Sequence, residues 1–174
     1  MKKLLLVIDF QYDFIEGTLG FPKAKDLVPL IKEKIIQARQ SGYQIGFTFD
    51  THDQTYLKTQ EGKKLPIVHC IPGTKGYDLP QAIIDVKHDE DLVFTKHTFG
   101  SLDLASFLQD NYYDVIEIVG LVTNICVISN AIIAKAASPE TDIKIYRHLV
   151  ASFDYDLHEK SLHVLSGMQF EIID

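Results

Sequence analysis

Leu4–Ile8 is a continuous apolar run that stops at Asp9. Similar runs recur at Tyr43–Phe49, Leu92–Thr95, Val115–Val119, Ile143–Tyr146 and Gln169–Ile173, rich in β-branched and aromatic residues and bounded by polar turns. Short runs of this kind, without clean in–out alternation, predict strands buried on both faces. Helical spacing lies between them. Leu27, Leu30, Ile31, Ile35 and Ala38 place apolar groups on one face, with Pro29 expected in the first turn and Ser41-Gly42 as the stop. Leu102, Ala105, Phe107 and Leu108 predict a second helix. Ile125–Ala137, ended by Ser138-Pro139, predicts a third, and Leu157–Leu165, ended by Gly167, a fourth. Strands alternating with helices predict a parallel α/β sheet with right-handed crossovers.

The segment from Thr51 to Val86 breaks this rhythm. It carries turn signals at Glu61-Gly62, Ile71-Pro72-Gly73 and Lys75-Gly76. A long insertion of this sort usually forms a lid or site wall. The 174 residues suit one domain, 1–174, with the insertion at about 51–86 as the site wall. The net charge of −7 leaves no basic surplus to neutralise phosphates, which excludes nucleic acid as the main partner. Met1-Lys2-Lys3 and the following run resemble the start of a signal peptide, but the run meets Asp9 too early for an h-region, so a buried strand is expected there. No stretch approaches the roughly 20 apolar residues of a membrane span. Two cysteines make no disulfide framework, and a reduced, cytoplasmic setting is expected.

Ligands of open α/β sheets bind beyond the carboxyl ends of the strands. Asp9, Asp50, Lys96 and Gly120 end four of the predicted strands, and the turn after Gly120 carries Thr123-Asn124-Ile125-Cys126. An arbitrary Cys is most often a small core residue. At a strand-to-helix turn, with Thr123 or Asn124 as N-cap, Cys126 would meet free N–H groups and a helix dipole that favour a thiolate and could hold an oxyanion. Asp9, desolvated at the end of an apolar strand, is suited either to proton transfer or to anchoring the loop. Lys96 is an ordinary strand-end lysine unless it meets both. Asp50 and His52 are two apart on a chain leaving a strand, and His69 lies in the insertion. Two His and a carboxylate form a catalytic zinc, iron or manganese set, with Glu61 as a candidate fourth ligand. His88, His97, His148, His158 and His163 have no ligand spacing and read as surface or structural. Cys70 reads as a bystander.

Leu6–Phe14, Phe94–Phe99 and Val119–Val127 together resemble the isochorismatase-like cysteine hydrolases, most of all the nicotinamidase/pyrazinamidase group. Val119–Val127 is similar to the family's nucleophile loop, and Val68–Thr74 supports the likeness at the metal site. The resemblance implies a three-layer, doubly wound, mainly parallel six-stranded sheet. It implies a cysteine amidase with Asp9, Lys96 and Cys126 as catalytic residues. The N–H groups of Cys126 and a cis Val122-Thr123 peptide would form the oxyanion hole, and Phe14 and Phe99 would pack on a substrate ring. It further implies a divalent metal on Asp50, His52, His69 and, in some relatives, a glutamate at the place of Glu61, with zinc first and iron or manganese as alternatives. The partner would be a small amide, with no nucleic acid or membrane, and the chain a homo-oligomer. The sequence departs from the group in having Thr51 where Trp is common, no Trp at all, a polar Gln54–Gln60 segment and the run Thr98-Phe99-Gly100-Ser101-Leu102 after Lys96-His97. Another small amide or an N-carbamoyl compound therefore stays open as substrate. A non-catalytic ligand or redox sensor would need Cys126 but neither Asp9 nor Lys96.

Overall fold

The computed structural model describes residues 1–174. In chain order the elements are β1 (Lys3–Ile8), α1 (Tyr12–Ile15), α2 (Pro22–Gln40), β2 (Tyr43–Asp50), α3 (Gln60–Lys64), α4 (Gln81–Ile84), β3 (Leu92–Lys96), α5 (Leu102–Asp110), β4 (Val115–Leu121), α6 (Ile128–Ala137), β5 (Asp142–Ala151), α7 (Tyr155–Gly167) and β6 (Glu171–Ile173). A 3₁₀ turn at Tyr56–Lys58 precedes α3, and a π-helical turn at Thr123–Val127 joins β4 to α6. The strands form one sheet in the order β3-β2-β1-β4-β5-β6, every neighbouring pair parallel. The six predicted strands are all present.

Alternation along β1 separates two cores. Leu5 and Val7 point to the face covered by α2, with Ile45, Phe47 and Val119 from the neighbouring strands. Leu4, Leu6 and Ile8 point to the other face, against residues of α5, α6 and α7 such as Leu104, Ala131 and Leu162. The five apolar β1 side chains, Leu4 to Ile8, are fully buried, at about 1.5–3 kcal/mol for each such aliphatic group. Helices on both faces of a parallel sheet explain why the strand patterns are continuous and not alternating.

Two details of α2 differ from expectation. The helix begins with Pro22 at its first position, so Pro29 lies in its interior and not in its first turn. Pro29 is exposed, so the carbonyl one turn back can bond water in place of the missing N–H. Leu30, beside it, is also exposed, and the buried stripe is Ala24, Leu27, Ile31, Ile35 and Ala38.

The chain runs from β1 outward through β2 to β3, then returns to the other side of β1 as β4. The direction of winding reverses between β1 and β4, and in such sheets the crevice at their carboxyl ends is where ligands bind. Register brings the expected groups to that rim: Ile8 lies beside Gly120 and Asp50 beside Lys96. Gly120 is needed for this approach. Its φ is +115°, and a Cβ there would fall 2.2 Å from the carbonyl oxygen of Ile8.

Candidate functional site

Asp9 leaves β1 at φ 42°, a left-handed conformation that Asp tolerates better than most residues. Its N–H donates to the carbonyl and hydroxyl oxygens of Thr48, and the Thr48 hydroxyl donates back to Asp9 Oδ1 at 2.6 Å. Two residues on, Gln11 is buried. Its Nε2 donates to the carbonyls of Asp50 and Tyr77, and its Oε1 accepts the Asp50 N–H at 2.7 Å. Thr48 and Gln11 thus lock the ends of β1 and β2 together. The sequence reading passed over both. The available signal for Thr48 was a hydroxyl at a position where the strand pattern calls for an apolar side chain; Gln11, in the loop after β1, carried none.

Lys96, buried at the end of β3, meets both groups on which its reading depended. Its Nζ is 2.6 Å from Asp9 Oδ2 and 3.6 Å from Cys126 Sγ. It also donates to Asp50 Oδ1 at 3.2 Å and to the Thr98 carbonyl at 3.0 Å. The approach to Asp9 Oδ2 is a short ion pair between two fully buried groups. Burial would lower the Lys96 pKa, but the charges of Asp9 and Asp50 outweigh it and keep the ammonium protonated. Burial raises the Asp9 carboxyl above the ordinary range, with Lys96 opposing and Asp50 reinforcing the shift. The Cys126 thiol is pushed well up by burial and by Asp9, against Lys96. This differs from the thiolate expected at a helix start. A fully desolvated sulfur beside a carboxylate holds its proton unless a base removes it.

Cys126 sits in the π-helical turn. The carbonyl of Val122 accepts the N–H groups of Ile125 and Val127, at 3.1 and 3.2 Å. The cis peptide is Leu121–Val122, one bond earlier than the expected Val122–Thr123. The Val122–Thr123 peptide already belongs to the turn, through its committed carbonyl. Neither Thr123 nor Asn124 caps the turn; the Thr123 hydroxyl is paired with His158 Nδ1 at 2.8 Å. From the other side Asn130, in the first turn of α6, donates to the carbonyls of Cys126 and Phe99 and accepts the Ser101 N–H. Asn130 too had escaped the sequence reading, because an Asn inside a helical pattern carries no local mark of its partners.

Asp50, His52, Glu61 and His69 converge, with one ligand atom from each lying within 4.8 Å of all the others. Asp50 Oδ2 is 3.0 Å from His52 Nε2 and 3.3 Å from His69 Nε2. Glu61 Oε1 is 3.6 Å from His52 Nε2 and 4.0 Å from His69 Nε2. His69 Nδ1 donates to the Ile67 carbonyl at 2.7 Å, which turns its Nε2 toward the cluster. Glu61 Oε2 is buried with no hydrogen-bond donor. Two imidazoles and two carboxylates around one point, one oxygen orphaned, fit a divalent cation. Burial pushes the Asp50 carboxyl up, but bonds from both His and the Lys96 charge outweigh it and hold it well below the usual range. Tyr56 corrects the reading of Gln54–Gln60 as simply polar. Its side chain is buried against both imidazoles, at ring distances of 4.5 and 5.0 Å, and its hydroxyl donates to the Leu65 carbonyl.

Both clusters open on one cavity of about 700 Å³. Cys126 and Val122 lie on one side, Asp50, Glu61 and His69 on the other. Phe14 and Phe99 line it as well; Phe14 is buried edge-on to His69, and Phe99 is 43% exposed. Cys70 is buried outside this lining, its thiol raised by burial and the nearby carboxylates. No helix is long and apolar enough to cross a membrane.

The family profile described as isochorismatase domain matches residues 3–174. A nicotinamidase of Saccharomyces cerevisiae is 25% identical over 215 residues, covering 99% of each chain. The crystal structure of a pyrazinamidase/nicotinamidase from Streptococcus mutans superposes with a TM-score of 0.86 at 29% identity, covering 99% of this chain and 100% of that one. A pyrazinamidase of Pyrococcus horikoshii, crystallised with zinc, superposes with a TM-score of 0.83 at 23% identity, covering 100% of this chain and 99% of that one.

Proposed function

The chain belongs to the isochorismatase family of hydrolases, and from that premise we propose that it is a cysteine amidohydrolase of nicotinamidase type, converting nicotinamide and water to nicotinate and ammonia. The observation that carries the reading is the placement of Lys96 Nζ among Asp9, Asp50 and Cys126 beside a cavity that also holds the His69 and Glu61 side chains.

In this mechanism Asp9 takes the Cys126 proton as Sγ forms a bond to the amide carbonyl carbon. The interaction of the Asp9 carboxylate with the buried Cys126 thiol supports the assignment of the base. Lys96 keeps its positive charge beside the sulfur and holds Asp9 in place. The oxyanion meets N–H groups of the turn at Cys126 and Thr123. Collapse breaks the carbon–nitrogen bond, Asp9 returns its proton to the nitrogen, and ammonia leaves a thioester on Cys126. Asp9 then takes a proton from water while the water oxygen bonds to the same carbon. The carbon–sulfur bond breaks, and the proton returns to the thiol as the acid departs.

Asp50, His52, His69 and Glu61 would hold a divalent metal, with zinc as the ion this donor set suits. When bound, it supplies a fixed positive charge and a coordination point for a ring nitrogen or a water. Phe14 and Phe99 would flank the ring. A homo-oligomer in a reducing, cytoplasmic setting belongs to the same proposal, since an oxidised Cys126 could not attack.

A second reading keeps the chemistry and changes the amide. A cavity of about 700 Å³ is large for one pyridine ring, and Trp is absent. Ammonia release from nicotinamide, pyrazinamide and a panel of N-carbamoyl compounds, by wild type and Cys126→Ala, separates the two. Release from nicotinamide no greater than the mutant background removes the nicotinamidase reading. Release from none of the amides removes the amidase.

A further inference from the structure

We propose that His158 is a positioning residue for the turn that carries Cys126, acting through its hydrogen bond with Thr123; this rests on the cysteine-hydrolase reading above. Thr123 is the first residue of the π-helical turn and is fully buried, so its hydroxyl has no water to bond. Its partner comes from α7, 35 residues away: His158 Nδ1 at 2.8 Å. The imidazole is itself held. Its ring stacks on Tyr155 at 5.9 Å with planes 24° apart, and its Nε2 faces Glu159 Oε1 at 3.6 Å. The start of α7 is fixed by Asp154, whose Oδ1 accepts the Leu157 N–H and whose carbonyl accepts the His158 N–H. A proton on Nε2 facing Glu159 leaves Nδ1 as the acceptor of the Thr123 O–H. Burial favours the neutral ring that this requires.

The turn needs such a tether because its own bonding is irregular. Ile125 and Val127 both spend their N–H groups on one carbonyl, Val122, and no side chain caps the turn. The Thr123 peptide is one of those that face the oxyanion in the proposed mechanism. A side chain anchored on a separate helix sets its direction. Asn130 holds the Cys126 end of the turn, and His158 holds the Thr123 end.

The test uses four variants of the full chain. Thr123→Val and His158→Leu remove the bond. Thr123→Ser keeps the hydroxyl, and His158→Asn keeps a polar atom near the place of Nδ1. Hydrogen exchange of peptides spanning Leu121–Asn130 reads the tether without any substrate. Faster exchange is expected in the Val and Leu variants and near wild-type exchange in the Ser and Asn variants. On an amide that wild type hydrolyses, kcat should fall by about 10- to 100-fold in Val and Leu while KM stays within about twofold, with substantial recovery in Ser and Asn. Unchanged exchange in both Val and Leu overturns the proposal, as does a loosened turn with unchanged kcat. If wild type hydrolyses no amide, the amidase reading fails, and the exchange result still decides whether His158 positions the turn.

Discussion

Lys96 Nζ lies 3.2 Å from Asp50 Oδ1, and this contact joins the two halves of the site. The other Asp50 oxygen faces His52 and His69. One carboxylate therefore serves the His52–His69 cluster and the ammonium beside Cys126 together. Asp50→Ala should lose bound metal and lower amide hydrolysis by about 100-fold or more. It should be worse than wild type stripped of metal by a chelator, in which Lys96 keeps its partner. Elemental analysis alongside ammonia release measures both, and equal losses in the two preparations would falsify the shared role.

Lys96 is buried between two carboxylates, so removing it leaves like charges facing each other out of water. Lys96→Met should destabilise the fold by about 3–5 kcal/mol at neutral pH. Asp9→Asn added to it should restore part of the loss, since one of the two uncompensated charges is then gone. Urea unfolding of the single and double variants checks this. A double variant no more stable than Lys96→Met sinks the account.

The acid limb of kcat/KM should lie above the ordinary carboxylate value of about 4, because burial raises Asp9. Below its pKa Asp9 carries a proton and cannot take the thiol's, so activity falls as pH falls. Its stability contribution has the opposite sign. A carboxyl whose folded pKa is raised favours folding below its unfolded value and loses that contribution as pH rises through the folded one. A pH–rate profile of ammonia release reads the limb, and a midpoint at or below about 4 contradicts the assignment of Asp9 as base.

Gly120→Ala should cost about 3 kcal/mol or more, from positive φ together with a clash against the Ile8 carbonyl. The damage falls where β1 meets β4, so Asp9 and the Cys126 turn separate. Thermal melting and Cys126 alkylation measured together test it; an unchanged melt means the strands part more easily than the register implies.

Much of the rim was legible in the sequence because strand ends are local features. Leu4–Ile8 followed by Asp9, and Leu92–Thr95 followed by Lys96, mark where buried backbone gives way to a polar side chain. The His52 and His69 imidazoles were legible for the same reason, as ligating types close to a strand end or a turn. Helix starts were less legible. Pro29 mimics an N-terminal proline, and only the exposed surface it occupies lets the helix run through it. Tyr56 lay hidden among polar neighbours, since its burial depends on a fold of the insertion that no periodicity records.

By itself the sequence determined six strands, their alternation with helices and the chemical types at their carboxyl ends, because each depends on residues adjacent along the chain. Tertiary structure decided who meets whom. Placing β1 between β2 and β4 sets Asp9 against Lys96 and the Cys126 turn, and brings Asp50 to both clusters. It also fixed protonation. Cys126 at the start of a helical turn reads as a thiolate from local dipoles, whereas burial in one of the two cores and a neighbouring carboxylate push its thiol pKa well up. The hydrogen bond of Thr123 to His158 spans 35 residues and exists only because α7 packs back against the turn that carries Cys126. Desolvation and long-range pairing depend on what surrounds a group in space, and linear spacing carries no measure of either.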